Sequence, residues 1–257
     1  MTGRVYGRLA APDIDQRLGA NSILCLPIGS YEQHGPHLPL QTDTVIAECF
    51  TDRLLVRYGG EFDLWALPAI PYGLSLEHAW SAGTISLTTQ LLVQLLDAIV
   101  GEYVRATPAR NVLVVNGHGG NRGVLEAALY ELQRAHGVHI CVVHPSTLSK
   151  AKFDASLPEI HAGMRETSVM LALAPDDVHL DRIPAGYAED IAQRDPIRRY
   201  VLERGTTWPW TSHDPSLSAI GIMGSDPRTA TRELGEMVIE SALDQCRDVL
   251  SALTKQG

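Results

Sequence analysis

Ser22-Ile23-Leu24-Cys25-Leu26-Pro27-Ile28 runs straight into Gly29-Ser30-Tyr31-Glu32-Gln33-His34-Gly35-Pro36-His37-Leu38-Pro39-Leu40-Gln41-Thr42-Asp43. The first seven residues are a nearly unbroken apolar run, the pattern of a strand covered on both faces. Pro27 near its end marks where that strand closes. A loop with Glu32, His34, His37 and Asp43 follows, and then residues 44–56 place Val45, Ile46, Cys49, Phe50 and Leu54 at helical spacing. Gly59-Gly60 stops that helix. A doubly covered strand followed by a helix is the opening unit of an α/β fold.

The same unit recurs downstream. Residues 62–67, 111–115 and 138–143 read as strands. Thr88 or Thr89 caps a helix with Leu92, Leu95, Leu96 and Ile99 on one face, and Asn121 caps another with Val124, Leu125, Ala128, Leu129 and Leu132 inward. A last long helix spans about 231–250, burying Leu234, Met237, Val238 and Leu250. Strands alternating with such helices predict right-handed crossovers and a mostly parallel sheet. Residues 185–227 are the least regular stretch, with a helix around 190–203 and Trp208 and Trp210 close together. A loop of that length is functional or disordered, and the two tryptophans favour order.

At 257 residues, 45% hydrophobic and 20% charged, residues 1–257 read as one α/β domain. The net charge of −9, without a Lys/Arg cluster, argues against nucleic acid or an anionic membrane surface as partner. Cys25, Cys49, Cys141 and Cys246 stand alone in apolar strand or helix patterns, as reduced thiols of a cytoplasmic protein would. The N-terminus has no signal-peptide pattern, and no apolar run nears the roughly 18 residues of a membrane helix.

Ligands of open α/β sheets bind beyond the carboxyl ends of the strands. Glu32 and His34 are two apart, so in an extended segment they point the same way and suit one metal or two neighbouring ones. Asp43, just before a helix, reads either as a ligand or as an N-cap. His118 lies between glycines in Asn116-Gly117-His118-Gly119-Gly120-Asn121, which lets the backbone turn sharply and bring the imidazole to something compact, a cation or a phosphate. The dinucleotide fingerprint fails, because its third glycine position is Arg122. His161 precedes Glu166, which falls in the first turn of an apolar helix, where its charge also suits the helix dipole. HExxH, GxSxG and Walker sequences are absent, so metal-assisted hydrolysis remains. A binding protein with a structural metal and a phosphate-binding domain are the rival readings.

Residues 26–43 are similar to the signature of the creatininase (creatinine amidohydrolase) family. Asn116–Asn121, Ala82-Gly83-Thr84-Ile85-Ser86-Leu87 and 161–168 resemble further family blocks, in the family's order. The resemblance implies a three-layer α/β/α domain, usually hexameric, with two divalent metals at the carboxyl edge of the sheet. It implies that Glu32, Asp43 and His118 hold one metal and His34 and Asp43 the other, with Asp43 bridging. A family glutamate two residues beyond His118 is Gly120 here, and Glu166 is the substitute ligand. Zinc comes first, then manganese or iron. A hydroxide bridging the cations attacks an amide carbonyl, and His161 protonates the leaving amine. Glu77 and His78 are candidate substrate-binding residues. The substrate is a small-molecule or peptide amide, since members with the Gly-His-Gly-Gly-Asn form include formamidopyrimidine hydrolases and the mycofactocin precursor peptidase, which releases a short peptide.

Overall fold

The computed structural model describes residues 3–255. Among them, β1 (Ile23–Ile28), β2 (Leu64–Ala66), β3 (Asn111–Asn116) and β4 (His139–Val143) form one sheet in the order β2-β1-β3-β4. Every pairing is parallel. Helix α1 (Ala11–Arg17) precedes β1, α2 (Thr42–Tyr58) follows it, and α3 (Thr89–Ala106) leads into β3. Helix α4 (Arg122–His136) connects β3 to β4, and α5 (Pro145–Leu148), α6 (Met164–Leu173), α7 (Arg194–Ile197) and α8 (Arg232–Thr254) come after β4.

The period of two along each strand sends alternate side chains to opposite faces. Ile23, Cys25, Leu113 and Val115 pack with Phe50 and Leu54 of α2, Met170 of α6, and Val238 and Leu243 of α8. Leu24, Leu26, Val112 and Val114 pack with Leu92 and Leu96 of α3 and Leu125 and Leu132 of α4. The expected three-layer α/β/α arrangement with a mostly parallel sheet is therefore present. Leu26, almost fully buried at its centre, is a position where truncation to alanine costs about 2–5 kcal/mol.

Thr88 caps α3 as predicted, its side chain accepting from Leu91 N–H. Asn121 does not cap α4 with its side chain, which is engaged elsewhere. Met237 is 46% exposed, because the buried stripe of α8 runs through Gly235, Val238, Ile239, Ala242 and Cys246 and leaves Met237 to one side. All four cysteines are free. The predicted helix around 190–203 is broken into a 3₁₀ turn (Ile191–Gln193), α7 and a π turn (Arg198–Leu202). No described helix is long and apolar enough to cross a membrane.

The register sets the position of the site. Ile28 pairs with Asn116, so the loops leaving β1 and β3 start side by side. The first leads to α2 on one face and the second to α4 on the other, which opens a crevice at the carboxyl edge. Two glycines let the start of α2 settle between these loops. A Cβ on Gly29 would lie 2.4 Å from the Thr44 amide nitrogen, and one on Gly117 would lie 2.1 Å from the Asp43 carbonyl oxygen.

Candidate metal centre

The crevice gathers Glu32 and His34 from the β1 loop, Asp43 from the first turn of α2, His118 from the β3 loop, His161 from a loop, and Glu166 from the first turn of α6. Glu32, His34 and His161 offer donor atoms within 4.8 Å of one another, as do Glu32, Asp43 and His118, and His34, Asp43 and Glu166. Asp43 Oδ2 lies 3.1 Å from His118 Nδ1, and Asp43 Oδ1 lies 3.4 Å from His34 Nε2. Asp43 is thus inside the helix and faces the crevice, rather than capping the helix from outside; the cap position is Gln41. His37 points away from the cluster and meets Thr167 Oγ1 at 2.9 Å.

Three imidazoles are oriented in the same manner. His34 Nδ1–H donates to the Glu32 carbonyl (3.1 Å), His118 Nε2–H to the Leu74 carbonyl (2.5 Å), and His161 Nε2–H to the Gln33 carbonyl (2.6 Å). A carbonyl only accepts, so in each ring a hydrogen is fixed on that nitrogen and the other nitrogen faces a carboxylate; His118 Nε2 also lies 3.3 Å from Glu32 Oε2. Metal-binding histidines are held in this way. Glu32 Oε2 accepts from Ser75 Oγ–H at 2.5 Å, whereas Glu32 Oε1, His34 Nε2 and Asp43 Oδ2 are buried and have no hydrogen-bond partner among the described residues. Unpaired buried groups of this kind are expensive. A divalent cation would satisfy all three, so the donor set fits a metal.

The electrostatics point the same way. Burial, with help from Asp43, pushes the Glu32 carboxyl up to about 8 against the pull of His118. Burial works against the charged forms of His34 and His118, yet the carboxylates around them prevail: His34 rises to about 10, and His118 also rises far above the ordinary imidazole range. His118 and His34 hold Asp43 below the usual carboxylate range in spite of its burial. Burial raises Glu166. Burial and the neighbouring imidazoles push His161 well down, and His78 down to about 3. The carboxylates therefore concentrate buried negative charge on the imidazoles, the field in which a cation is favoured.

Supporting residues fix the frame. Asn121 ties three loops together: its Nδ2 donates to the Gly29 carbonyl and to Asn116 Oδ1, and its Oδ1 accepts from Leu74 N–H. Ala162 sits at φ 54°, a left-handed backbone held between His161 and Gly163, and gives its N–H to Glu166 Oε2 at 2.6 Å. A cavity of about 740 Å³ opens over the cluster, lined also by Glu77, His78, Arg122, Arg204, Trp208 and Trp210. Glu77 stands against Gly120, where a Cβ would lie 2.6 Å from Glu77 Oε1 and 2.5 Å from His118 Nε2. Gln33, Ser75 and Ser212 were not singled out from the sequence, where such polar residues carry no distinctive signal.

The family model for creatinine amidohydrolase matches residues 7–250. The chain belongs to the creatininase family. It is 37% identical over 253 residues to a mycofactocin precursor peptide peptidase of Mycobacterium tuberculosis, covering 94% of this chain and 90% of that one. It is 28% identical to a creatinine amidohydrolase of Pseudomonas putida, covering 95% of each. Among solved structures, a mutant creatininase of Zn-Zn type superposes with a TM-score of 0.74 at 27% identity, covering 97% of this chain and 98% of that one. This creatininase-family amidohydrolase therefore acts on carbon–nitrogen bonds.

Proposed function

We infer that the chain is a dinuclear metal-dependent hydrolase of a peptide amide bond. Glu32, Asp43 and His118 would hold one divalent cation, and His34, Asp43 and Glu166 the other. The observation that carries this reading is the meeting of two donor groups at Asp43, with unpartnered buried atoms on both sides of it. Zinc is the first candidate, supported by the Zn-Zn form of the solved relative, and the His/Asp/Glu donor set also suits manganese or iron. Bound there, such a pair would lower a water pKa from 15.7 towards about 7 and polarise a carbonyl oxygen.

The remaining work falls to side chains. His161 keeps a lone pair on Nδ1, 3.4 Å from Glu32 Oε1, so it first accepts the proton released as water adds to the amide carbon. It then returns that proton to the departing nitrogen. Glu77, on the crevice wall, contacts the substrate. Greater identity to the peptide peptidase than to the creatinine amidohydrolase supports a peptide, cleaved to release a short segment. By family resemblance we read residues 1–257 as one such domain, assembling as a cytoplasmic homohexamer.

Metal content per chain, measured by mass spectrometry after purification without chelator, tests the reading. Two equivalents, lost in Asp43→Ala, together with turnover of a peptide panel, are expected. One equivalent overturns the dinuclear scheme. Two equivalents with closed coordination and no turnover would make this a non-catalytic metal-containing binding protein.

A further inference from the structure

A fourth imidazole lines the crevice and is wired in the opposite sense. His78 is 2% exposed, stacks on the His161 ring with centroids 4.0 Å apart and planes 23° from parallel, and brings Nε2 within 3.5 Å of Glu32 Oε1. Its outer nitrogen meets no carbonyl. Instead, His78 Nδ1 faces the Ser212 hydroxyl at 2.7 Å and the Gln33 side-chain nitrogen at 3.1 Å.

The neighbours fix the direction of these bonds. An indole N–H donates and cannot accept, and Trp80 Nε1–H donates to Ser212 Oγ over 2.8 Å. The Ser212 hydrogen then turns to its nearest acceptor, His78 Nδ1, the alternative being the Glu77 carbonyl at 3.4 Å. Gln33 is held just as firmly. Its Oε1 accepts from Gly35 N–H at 2.8 Å and its Nε2 donates to the Gly221 carbonyl at 3.1 Å. Gly221, at φ 83°, makes room for this amide; a Cβ there would lie 2.4 Å from Gln33 Oε1. With donors on its outer side, His78 Nδ1 must accept, and the single ring hydrogen sits on Nε2.

We propose that His78 is a positioning residue, a neutral imidazole whose Nε2–H, set by the Trp80–Ser212 chain, faces the Glu32 carboxylate across 3.5 Å as an oriented dipole, and which supports the face of His161 and is barred from ligating metal itself. This rests on the reading of Glu32 as a ligand. It also moves His78 from the substrate-contact role expected from the sequence to a role behind the reacting groups. The chain begins at Trp80, 43% exposed at the rim, so the orientation of a buried imidazole is set from the protein surface inward.

Histidine ¹⁵N spectra of the zinc-loaded protein test the proposal directly. His78 is expected as the Nε2–H tautomer in the parent protein and as a mixture in Ser212→Ala, with Ser212→Thr restoring the parent pattern. Alongside, Ser212→Ala should lower kcat about tenfold with KM little changed, within the 10–100-fold range of partners that orient metal ligands. Trp80→Phe, at a partly exposed position, should show the same effect more weakly. A protonated Nδ1 in the parent protein overturns the proposal, as does a Ser212→Ala variant with unchanged tautomer and kcat. Failure to load zinc would count against the hydrolase reading instead, and the tautomer of the metal-free protein would still decide the wiring of His78.

Discussion

The loops at the ends of β1 and β3 and the irregular stretch 185–227 border the same crevice but are built differently. The strand-end loops are pinned by sheet register, by Asn121 and by two glycines against α2, and they carry Glu32, His34 and His118 fully buried. The irregular stretch packs a separate small core of Ile197, Leu217 and Met223, touches His78 through Ser212, and leaves 202–209 exposed around Trp208, itself 45% exposed. A fold can hold donor atoms to a few tenths of an ångström only where strands and helices dictate the backbone. Loops free of that duty are where selectivity is set.

The largest effect that would test this contrast is on the pinned side. Asp43→Ala should remove both cations and lower kcat/KM by on the order of 10³-fold or more, as residues acting as a unit do. Metal retained at two equivalents in that variant would break the comparison. His161→Ala should keep both cations and slow turnover by about 10²–10⁴-fold, the range of a lost acid–base group. Loss of metal instead would make His161 a ligand, as its grouping with Glu32 and His34 allows. Gly117→Ala presses a methyl onto the Asp43 carbonyl and should destabilise the chain by about 1–3 kcal/mol, read by denaturant unfolding, with weaker metal binding.

Proton linkage gives a smaller, graded effect. In the cation-free protein, His34 is raised from 6.5 to about 10, so it contributes stability that is fully present below pH 6.5 and lost as pH rises through about 10. A cation must displace that proton, so metal affinity should rise with pH by up to about tenfold per unit for each proton released. Calorimetry in two buffers of different ionisation enthalpy would report the release, and equal heats would contradict it. The smallest effect belongs to the irregular side of the contrast, the crevice wall: Trp208→Ala should change KM a few-fold while metal content stays the same and stability stays within about 0.5 kcal/mol.

Much of this was legible in the sequence, for identifiable reasons. Continuous apolar runs marked strands buried on both faces, and Glu32, His34, Asp43, His118 and Glu166 were chemically conspicuous beside them. Asn121 misled, because a helix-start asparagine usually caps, and only the assembled loops show three better partners for its amide. Met237 misled by one step around a helix whose buried stripe is made partly of Gly235 and Ala242. The carbonyls of Glu32, Gln33 and Leu74, which fix three imidazoles, are invisible to residue-type reasoning because every residue has one. Ser212 arrives from a segment with no periodic pattern.

Glu32, Asp43, His118 and Glu166 belong to four separate segments that meet only in the folded chain. An ion held by them would act as a clasp across the carboxyl edge of the sheet, closing long stretches of chain into loops. Unfolding would have to open that clasp first, and free metal at a hundred times its Kd would resist it by about 2.7 kcal/mol. Metal supply would then govern how long the folded chain survives in the cell, as well as how fast it turns over.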